Sequence, residues 1–349
     1  MEKLWKKNLL DITPYTAGEQ PKRSNFLKLN ANENPYPPSP AVIKAIKEFD
    51  GEQLRKYPDA SARRLREVIA ERNGLKAENI FVGNGSDDVL ALSFRAFFNS
   101  DREIFFPDIT YSFYPVWCSL LKIPYKTIPV DENFRICPED YKAENGGVVI
   151  PNPNAPTSIG EDLDFVRSIL DENRDCVVII DEAYVDFSRY GSAVELVKEY
   201  DNLLVVQTCS KSRSLAGLRV GMAMGSEELI SVLEAVKDSY NSYPLGSIAQ
   251  AAAIASFEDE EYFKETVNKI ISTRDSTAEK LRTHKFTVME SSANFLFCSH
   301  EFIPAKTIFE YLRRKGIYVR YFELPRIDNY LRITVGTDTD MEALEDFLM

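Results

Sequence analysis

The sequence predicts an α/β protein with one large and one smaller domain. Apolar strand-like runs such as CVVIID and NLLVVQT alternate with helical patterns over most of the chain. These runs are apolar at consecutive positions, which indicates a mostly parallel sheet covered by helices on both faces. After a long helical stretch at roughly 226–283, shorter strand and helix patterns follow. That change of pattern predicts a small C-terminal α+β domain.

The individual elements follow in chain order. Pro- and Asn-rich segments such as NANENPYPPSP predict an irregular N-terminal arm over residues 1–40. Helices are predicted in SPAVIKAIKEF, with Ser39 as N-cap, and in YPDASARRLREVIAERNG, which closes on Gly74. NIFVGNGSDDVLALSFRAFF and REIFFPDITYSFYPVWCSLL each predict a strand, a polar loop and a helix. We therefore expect a large domain over 41–250 and a small domain over 251–349.

Composition and charge exclude several classes of function. Among 349 residues, 54 are acidic and 42 basic, giving a net charge of −12 that would repel nucleic acid or an anionic membrane. The five cysteines are scattered and the histidines number two, so neither a disulfide framework nor a metal site is expected. The first residues lack the apolar core of a secretory signal, and IAQAAAIASF is too short to span a bilayer. We expect a cytoplasmic protein.

Ligands of open α/β sheets bind beyond the carboxyl ends of the strands, so residues at those ends are the candidate site. GNGSDD, Gly83 to Asp88, lies between a strand and a helix, where backbone N–H groups suit a phosphate. Taken alone, it is equally typical of a plain tight turn. Tyr111 in ITYSFY either stacks on a planar ligand or fills the core. The loop NPNAPTS predicts an unusual turn.

The ends of two further strands carry opposite charges. Asp181 follows four apolar strand residues and needs a cationic partner, such as a protonated pyridine nitrogen, unless it is a helix N-cap beside Glu182. Lys211 lies in QTCSKSRSLAGLRVG, where a partly buried amine is able to form a Schiff base. Alone, this stretch is also typical of a solvated surface loop.

The same lysine loop carries groups suited to a phosphate. Thr208 and Ser210 offer hydroxyls, and Arg219 offers a charged fork. Together the five strand ends complement one planar, phosphorylated, pyridine-like ligand. Pyridoxal 5′-phosphate has those three properties.

The order of the motifs resembles a known family. Over nearly the whole chain, the sequence resembles the fold-type I pyridoxal-phosphate-dependent aminotransferases. The motifs that carry the resemblance are GNGSDD, NPNAPT, DEAY, an SK pair followed eight residues later by arginine, and LRITVG. Within that group, the sequence is similar to the histidinol-phosphate aminotransferases in the segments LNANENPYPPSP, KYPDAS, DEAYVDF, SLAGLRVG and LRITVGT. The resemblance implies the fold-type I transferase fold, a pyridoxal phosphate cofactor and a homodimer.

The resemblance also implies roles for individual residues. Lys211 would bind the cofactor covalently and carry the substrate proton, and Asp181 would pair with the pyridine nitrogen. Tyr184 would donate to the ring oxygen, while Ala183 and Tyr111 would contact the two ring faces. The cofactor-binding set implied in this way is Gly85, Ser86, Asp87, Tyr111, Asn154, Asp181, Tyr184, Thr208, Ser210, Lys211 and Arg219, with Tyr57 supplied by the partner subunit.

Four further residues are expected at the substrate. Arg332 in LRITVG would bind the substrate carboxylate, with a surface ion pair as the alternative. Arg320 in IYVRYF is a second candidate for binding an anionic group. Tyr15 and Asn32 in the arm would cover the substrate, although packing roles remain open for both.

The sequence departs from the family pattern at two places. Ala155 stands where an asparagine usually precedes Pro-Thr, and Ser158 stands where glycine is usual. Asn154, one residue earlier, is the candidate replacement. Arg213 follows the lysine where a small or aromatic residue is common, and it would either lower the pKa of the lysine or strengthen phosphate binding.

The implied reaction interconverts histidinol phosphate and 2-oxoglutarate with imidazole-acetol phosphate and glutamate, a step of histidine biosynthesis. A threonine-phosphate decarboxylase and a broad aromatic aminotransferase are alternatives that share most of the cofactor residues. A pyridoxal-phosphate-sensing regulatory domain is disfavoured, because the chain has no spare residues for a DNA-binding motif and carries a net charge of −12.

Overall fold

The computed structural model of the chain describes residues 4–16, 18–20 and 26–348. No helix within those ranges is long and apolar enough to cross a membrane. The strands are β1 Leu27–Lys28, β2 Ile80–Gly83, β3 Ile104–Pro107, β4 Tyr125–Ile128, β5 Gly147–Pro151, β6 Val178–Asp181, β7 Leu203–Thr208, β8 Gly221–Gly225, β9 Phe286–Val288, β10 Phe295–His300, β11 Ile317–Tyr318, β12 Arg320–Tyr321 and β13 Leu331–Thr334. The α-helices are α1 Pro40–Lys47, α2 Arg63–Arg72, α3 Ser86–Phe97, α4 Tyr114–Leu121, α5 Leu163–Glu172, α6 Glu227–Tyr240, α7 Ser247–Glu258, α8 Glu260–Thr283, α9 Ala305–Arg314 and α10 Asp338–Leu348.

A seven-stranded sheet in the order β2-β8-β7-β6-β5-β3-β4 forms the centre of the fold. Its strands are parallel except β8, which pairs antiparallel with both β2 and β7. Glycine is required where β8 meets β2, because a Cβ on Gly221 would lie 2.3 Å from the carbonyl carbon of Gly85. The predicted mostly parallel sheet is confirmed, with β8 as an additional strand.

Apolar side chains cover both faces of this sheet. Ile150, Ile180 and Val205 belong to one buried cluster, together with residues of α2, α5 and α7. Val149 and Ile179 point to the other face, into a cluster shared with α3, α4 and α6. This two-sided burial explains the consecutive apolar residues of the strands, since neither face contacts water.

The C-terminal part has its own sheet and core. Strands in the order β12-β13-β10-β9 form an antiparallel sheet, and Leu296 and Ile333 pack there with Leu312 of α9 and Leu344 of α10. Helix α7 packs with the large core, whereas the second half of α8 packs with the small one. We propose that the domain boundary lies at Asp259, between α7 and α8, slightly beyond the predicted residue 250.

The predicted helix ends match their local chemistry. Ser39 caps α1, since its hydroxyl accepts from the amide of Val42 at 3.3 Å and Pro40 occupies the first turn. Gly74 follows α2 with a φ of +62°, the left-handed region that glycine adopts without strain.

Candidate active site

A cavity of about 180 Å³ lies beyond the carboxyl ends of β5, β6 and β7. It is bounded by the arm, by the start of α3 and by β12 and β13 of the small domain. Most of the residues that the sequence analysis selected line it: Tyr15, Asn32, Ser86, Asp87, Tyr111, Asp181, Ala183, Tyr184, Thr208, Ser210, Lys211, Arg219, Arg320 and Arg332.

Lys211 brings an amine into this cavity from the loop that follows β7. Its Nζ donates to the backbone carbonyl of Ala31 at 3.3 Å and lies 5.8 Å from the centre of the Tyr184 ring. A carbonyl acceptor satisfies one of three amine donors and leaves the nitrogen free of any ion pair with a described residue. The amine is therefore available to a ligand.

Asp181 brings a carboxylate into the same cavity from the end of β6. It is 5% exposed, and it accepts hydrogen bonds from the hydroxyl of Tyr114 at 2.7 Å and the amide of Ala183 at 3.3 Å. Burial raises the pKa of this carboxyl to about 6, against the lowering effect of those two hydrogen bonds. A cation placed beside Asp181 would favour its charged form.

The neighbouring carboxylate, Glu182, points elsewhere. It accepts from Ser192 Oγ at 2.5 Å, Gln207 Nε2 at 2.8 Å and the amide of Ala193 at 2.6 Å. Burial raises its pKa to about 7. Glu182 thus connects the ends of β6 and β7 and does not line the cavity.

Helix α3 begins at the cavity and offers its positive end to an anion. Gly85 precedes it with a φ of +83°, a left-handed backbone conformation that favours glycine, and a Cβ there would lie 2.5 Å from Arg219 Nη2 and would displace the guanidinium. Arg219 donates to Asp87 at 3.0 Å and contacts Ser210 Oγ at 3.4 Å. These groups form a cradle for an anionic group.

Two more hydroxyls complete the cradle. Thr208 Oγ1 donates to Ser210 Oγ at 2.9 Å and accepts from the Ser210 amide at 3.2 Å. Both residues are buried. This small turn fixes the hydroxyl pair at the end of β7, on the same side as Lys211.

Aromatic side chains form one wall of the cavity. Tyr111 donates to Asp87 at 2.8 Å, and burial raises the pKa of its phenol. The ring of Tyr15 stacks on Phe113, with centroids 4.3 Å apart, and lies 6.2 Å from the ring of Tyr111. The arm therefore covers the cavity through aromatic contacts.

The arm also supports the opposite wall. Asn32 Nδ2 donates to the hydroxyl of Tyr184 at 2.9 Å, and Asn32 Oδ1 accepts from Thr334 at 3.1 Å. Asn34, which the sequence analysis did not select, donates to the carbonyls of Lys211 at 2.9 Å and Ser212 at 3.1 Å. Asn34 lies in the arm motif NANENP, but nothing in that motif indicates a contact with the lysine loop.

The small domain contributes two arginines. Arg320 and Arg332 are opposite each other on β12 and β13. Arg332 donates to the carbonyl of Asn30 at 3.0 Å, whereas its buried Nε has no hydrogen-bond partner among the residues that the structure describes. Burial lowers the pKa of Arg332. A buried guanidinium with a free donor is suited to an incoming carboxylate.

Three selected residues, Gly85, Asn154 and Tyr57, do not line the cavity. Asn154 is buried and donates to the carbonyl of Ile109 at 2.9 Å, while Ala155 lines the cavity. The structure therefore does not support the expectation that Asn154 replaces the usual asparagine, because its amide holds the loop instead. Tyr57 is 82% exposed and stacks on Tyr243 at 4.7 Å.

Arg213 also differs from expectation. Its side chain is 4% exposed and pairs with Glu260 at 3.1 Å, away from the cavity. The prediction that it adds a positive charge beside the phosphate is therefore wrong. Its guanidinium extends from the lysine loop toward the junction of α7 and α8.

No group of three or more His, Cys, Asp or Glu side chains within the described ranges is arranged to hold a metal ion.

Residues 24–348 match the model of a protein family, which is described as aminotransferase class I and II. The chain belongs to the class I and II aminotransferases. This aminotransferase is 51% identical over 346 residues to the histidinol-phosphate aminotransferase of Clostridium acetobutylicum, covering 99% of this chain and 98% of the relative. It is also 51% identical over 349 residues to the histidinol-phosphate aminotransferase of Acinetobacter baylyi, covering 99% and 96% respectively.

A solved structure shares the fold of this aminotransferase. The histidinol-phosphate aminotransferase of Sinorhizobium meliloti, solved in complex with pyridoxal 5′-phosphate, superposes with a TM-score of 0.84 at 23% identity. The match covers 92% of this chain and 89% of that one. The fold class predicted from the sequence is confirmed.

Proposed function

We propose that this aminotransferase binds pyridoxal 5′-phosphate and transfers an amino group between glutamate and imidazole-acetol phosphate, forming histidinol phosphate and 2-oxoglutarate. The observation that carries the proposal is that the Lys211 amine and the buried Asp181 carboxylate line one cavity, beside an anion cradle at the start of α3. The relatives at 51% identity support the choice of substrate.

The residues present fit this cofactor. A carboxylate that burial drives toward its neutral form gains most from a cationic partner, and a pyridinium nitrogen is one. The phosphate fits the cradle of Ser86, Thr208, Ser210 and Arg219, where hydroxyls and a guanidinium face the helix end. When bound, the cofactor supplies an electron-withdrawing ring that stabilises negative charge at the substrate Cα.

The residues of the chain then act on the proton of the substrate. Lys211 Nζ would take the proton from the substrate Cα and would deliver it to C4′ of the cofactor. Asp181 would pair with the pyridine nitrogen of the cofactor and would favour its protonated form. Tyr184 orients the ring through its hydroxyl, and Asn32 holds that hydroxyl at 2.9 Å.

Arg332 and Arg320 account for the anionic substrates. Arg332 lines the cavity and has a buried Nε donor without a partner among the described residues, and we assign it the substrate carboxylate. Arg320 places a second positive charge beside it on β12 and is suited to the remaining anionic group of either substrate. Tyr15 closes the cavity over them from the arm.

We further propose a homodimer in the cytoplasm. Tyr57 and Tyr243 form an exposed aromatic pair outside the cavity of their own chain, and such a surface gains free energy when a second copy covers it. Tyr57 would then complete the cofactor cradle of the partner subunit. All five cysteines are free thiols, as in a reducing compartment.

One assay separates this reaction from its rivals. Purified protein supplied with histidinol phosphate and 2-oxoglutarate is expected to produce glutamate without releasing carbon dioxide. Carbon dioxide from threonine phosphate would instead indicate the decarboxylase. Equal kcat/KM values for phenylalanine and histidinol phosphate would indicate a broad aromatic aminotransferase and would contradict the proposed specificity.

A further inference from the structure

Arg213 is a buried cation two residues beyond Lys211. Its guanidinium lies between two aromatic rings, 3.9 Å from the centre of Phe257 and 4.1 Å from that of Phe263. Phe257 lies in the last turn of α7 and Phe263 in the first turns of α8. The side chain is thus sandwiched at the corner where α7 ends and α8 begins.

The hydrogen bonds of Arg213 go to the same corner. Nη1 donates to the carbonyl of Ser256 at 2.7 Å, and Nη2 donates to Glu260 at 3.1 Å. Ser256 is in the last turn of α7, where carbonyls lack helical partners and the helix dipole is negative. Glu260 is the first residue of α8. Arg213 therefore caps one helix and pairs with the next.

The loop that carries Lys211 depends on side-chain contacts. No regular strand or helix covers residues 209–215, and Ser214 has a φ of +58°. Ser212 Oγ donates to Asp186 at 2.5 Å, and the Leu215 amide closes the loop on the Cys209 carbonyl at 3.0 Å. Among these contacts, that of Arg213 attaches the loop to two long helices.

We propose that Arg213 is a positioning residue, which anchors the 209–215 loop to the α7–α8 corner and thereby fixes where Lys211 presents its amine. The inference rests on the proposed function in taking Lys211 as the amine that binds the cofactor. Arg213 does not line the cavity, so its effect on the reaction passes through the loop. The Ser256 carbonyl and the Glu260 carboxylate bind the Arg213 guanidinium outside the cavity, so its positive charge does not lie beside the cofactor.

Arg72 provides a matched control. Its guanidinium also lies over Phe263, at 4.8 Å, and it also pairs with Glu260. Arg72 belongs to α2, however, and no hydrogen bond or ion pair joins it to residues 209–215 within the described ranges. Arg72→Met therefore removes a similar aromatic contact and ion pair from the same corner while leaving the anchor of Lys211 in place.

The first measurement is amide hydrogen exchange in the cofactor-free protein. Arg213→Met is expected to speed exchange at the Leu215 amide by about tenfold or more, because the closed loop opens more often. Arg72→Met is expected to leave that amide unchanged. Wild-type exchange at Leu215 in Arg213→Met would overturn the inference whether or not the cofactor binds Lys211.

The second measurement is cofactor binding by the dimeric protein. Arg213→Met is expected to raise the dissociation constant of pyridoxal phosphate about tenfold. It is also expected to lower the fraction of bound cofactor that borohydride fixes to Lys211, since a mobile amine meets the aldehyde less often. Arg213→Lys keeps the charge but not the two-way fork, so its values are expected between wild type and Arg213→Met.

The outcomes are distinguishable. Equal effects of Arg72→Met and Arg213→Met would show that Arg213 contributes only to the general stability of the fold, and they would overturn the positioning role. Full recovery in Arg213→Lys would show that charge alone matters and would also overturn it. If Arg213→Met fails to fold, the comparison of Arg213→Lys with Arg72→Met decides in the same way. Absence of cofactor on Lys211 in the wild-type protein would instead refute the proposed function.

Discussion

Tyr114 donates a 2.7 Å hydrogen bond to Asp181 at a position where both side chains are buried. The phenol comes from the first residue of α4, and the carboxylate comes from the end of β6. This phenol and the Ala183 amide, both neutral donors, do not offset the burial of the carboxylate, whose pKa remains raised to about 6. Burial of the Asp181 carboxylate therefore destabilises the folded, cofactor-free chain, and a cation bound beside it would remove that destabilisation.

This relationship predicts a pH-dependent stability of the cofactor-free protein. Since the folded chain binds the Asp181 proton more tightly than the unfolded chain, stability falls as pH rises from about 4 to about 6. The cost above that range is about 3 kcal/mol. Asp181→Asn removes this titration, so the cofactor-free variant is expected to be more stable than wild type at pH 8.

Denaturant unfolding checks that prediction. The advantage of Asp181→Asn is expected to shrink below about pH 6 and to vanish near pH 4, where wild-type Asp181 is protonated. With cofactor bound the order is expected to reverse, because the variant loses the ion pair with the pyridine nitrogen. A pH-independent difference between the two proteins would contradict the raised pKa.

The role of Lys211 predicts a split between binding and turnover. Lys211→Ala is expected to bind pyridoxal phosphate through the cradle and Asp181, yet to lose transamination by several orders of magnitude, because it removes the amine assigned to move the substrate proton. Equilibrium binding and single-turnover kinetics measure the two effects. Lys315→Ala, at an exposed position after α9, is the control and is expected to match wild type. Near-normal turnover in Lys211→Ala would mean that another lysine acts.

The assignment of Arg332 to the substrate carboxylate predicts that its replacement weakens substrate binding. A lysine in its place loses the planar fork that matches a carboxylate, so Arg332→Lys is expected to raise the KM for glutamate about 100-fold, or ~2.7 kcal/mol. Cofactor affinity is expected to stay normal, because Arg332 lies on the small domain. Steady-state kinetics and cofactor titration test the pair of expectations. The exposed Arg314→Lys serves as control, and an unchanged KM in Arg332→Lys would remove the carboxylate assignment.

Tyr57 predicts complementation between subunits. When Lys211→Ala and Tyr57→Ala proteins are mixed and allowed to exchange subunits, each hybrid dimer is expected to contain one complete site. That site combines Lys211 of one chain with Tyr57 of the other. Activity is expected to rise above that of either parent toward half of wild type per hybrid dimer. Failure to regain activity, despite subunit exchange shown by mass measurement, would place Tyr57 outside the site.

Much of the site is predictable from the sequence, because polar side chains at the ends of buried apolar strands lie at the ligand-binding edge of the sheet. Asp181 directly follows an apolar run and Lys211 lies three residues beyond the end of β7, so their position at the same edge of the sheet follows from the parallel arrangement of β6 and β7. Gly85 and Arg219 are also selected from their motifs, and the φ of +83° at Gly85 explains why a glycine precedes α3.

The residues that sequence reasoning missed depend on contacts distant along the chain. Asn34 meets the carbonyl of Lys211 across 177 positions, which no local pattern encodes. Arg213 reaches a helix corner 43 residues later, so proximity to the lysine in sequence suggested the wrong partner. Strand β8 is a short Gly- and Met-containing run, GMAMG, whose strand character comes from its two neighbours rather than from its own residues.

The most direct test of the account is the site of borohydride labelling. The protein is loaded with pyridoxal phosphate, reduced, digested and mapped by mass spectrometry. One phosphopyridoxyl group per chain is expected on the peptide that contains Lys211, and its yield is expected to fall in Asp181→Asn because the cofactor is held less firmly. Labelling of a different lysine, or no labelling of a fully folded protein, would contradict the claim that Lys211 and Asp181 bind opposite ends of the same cofactor.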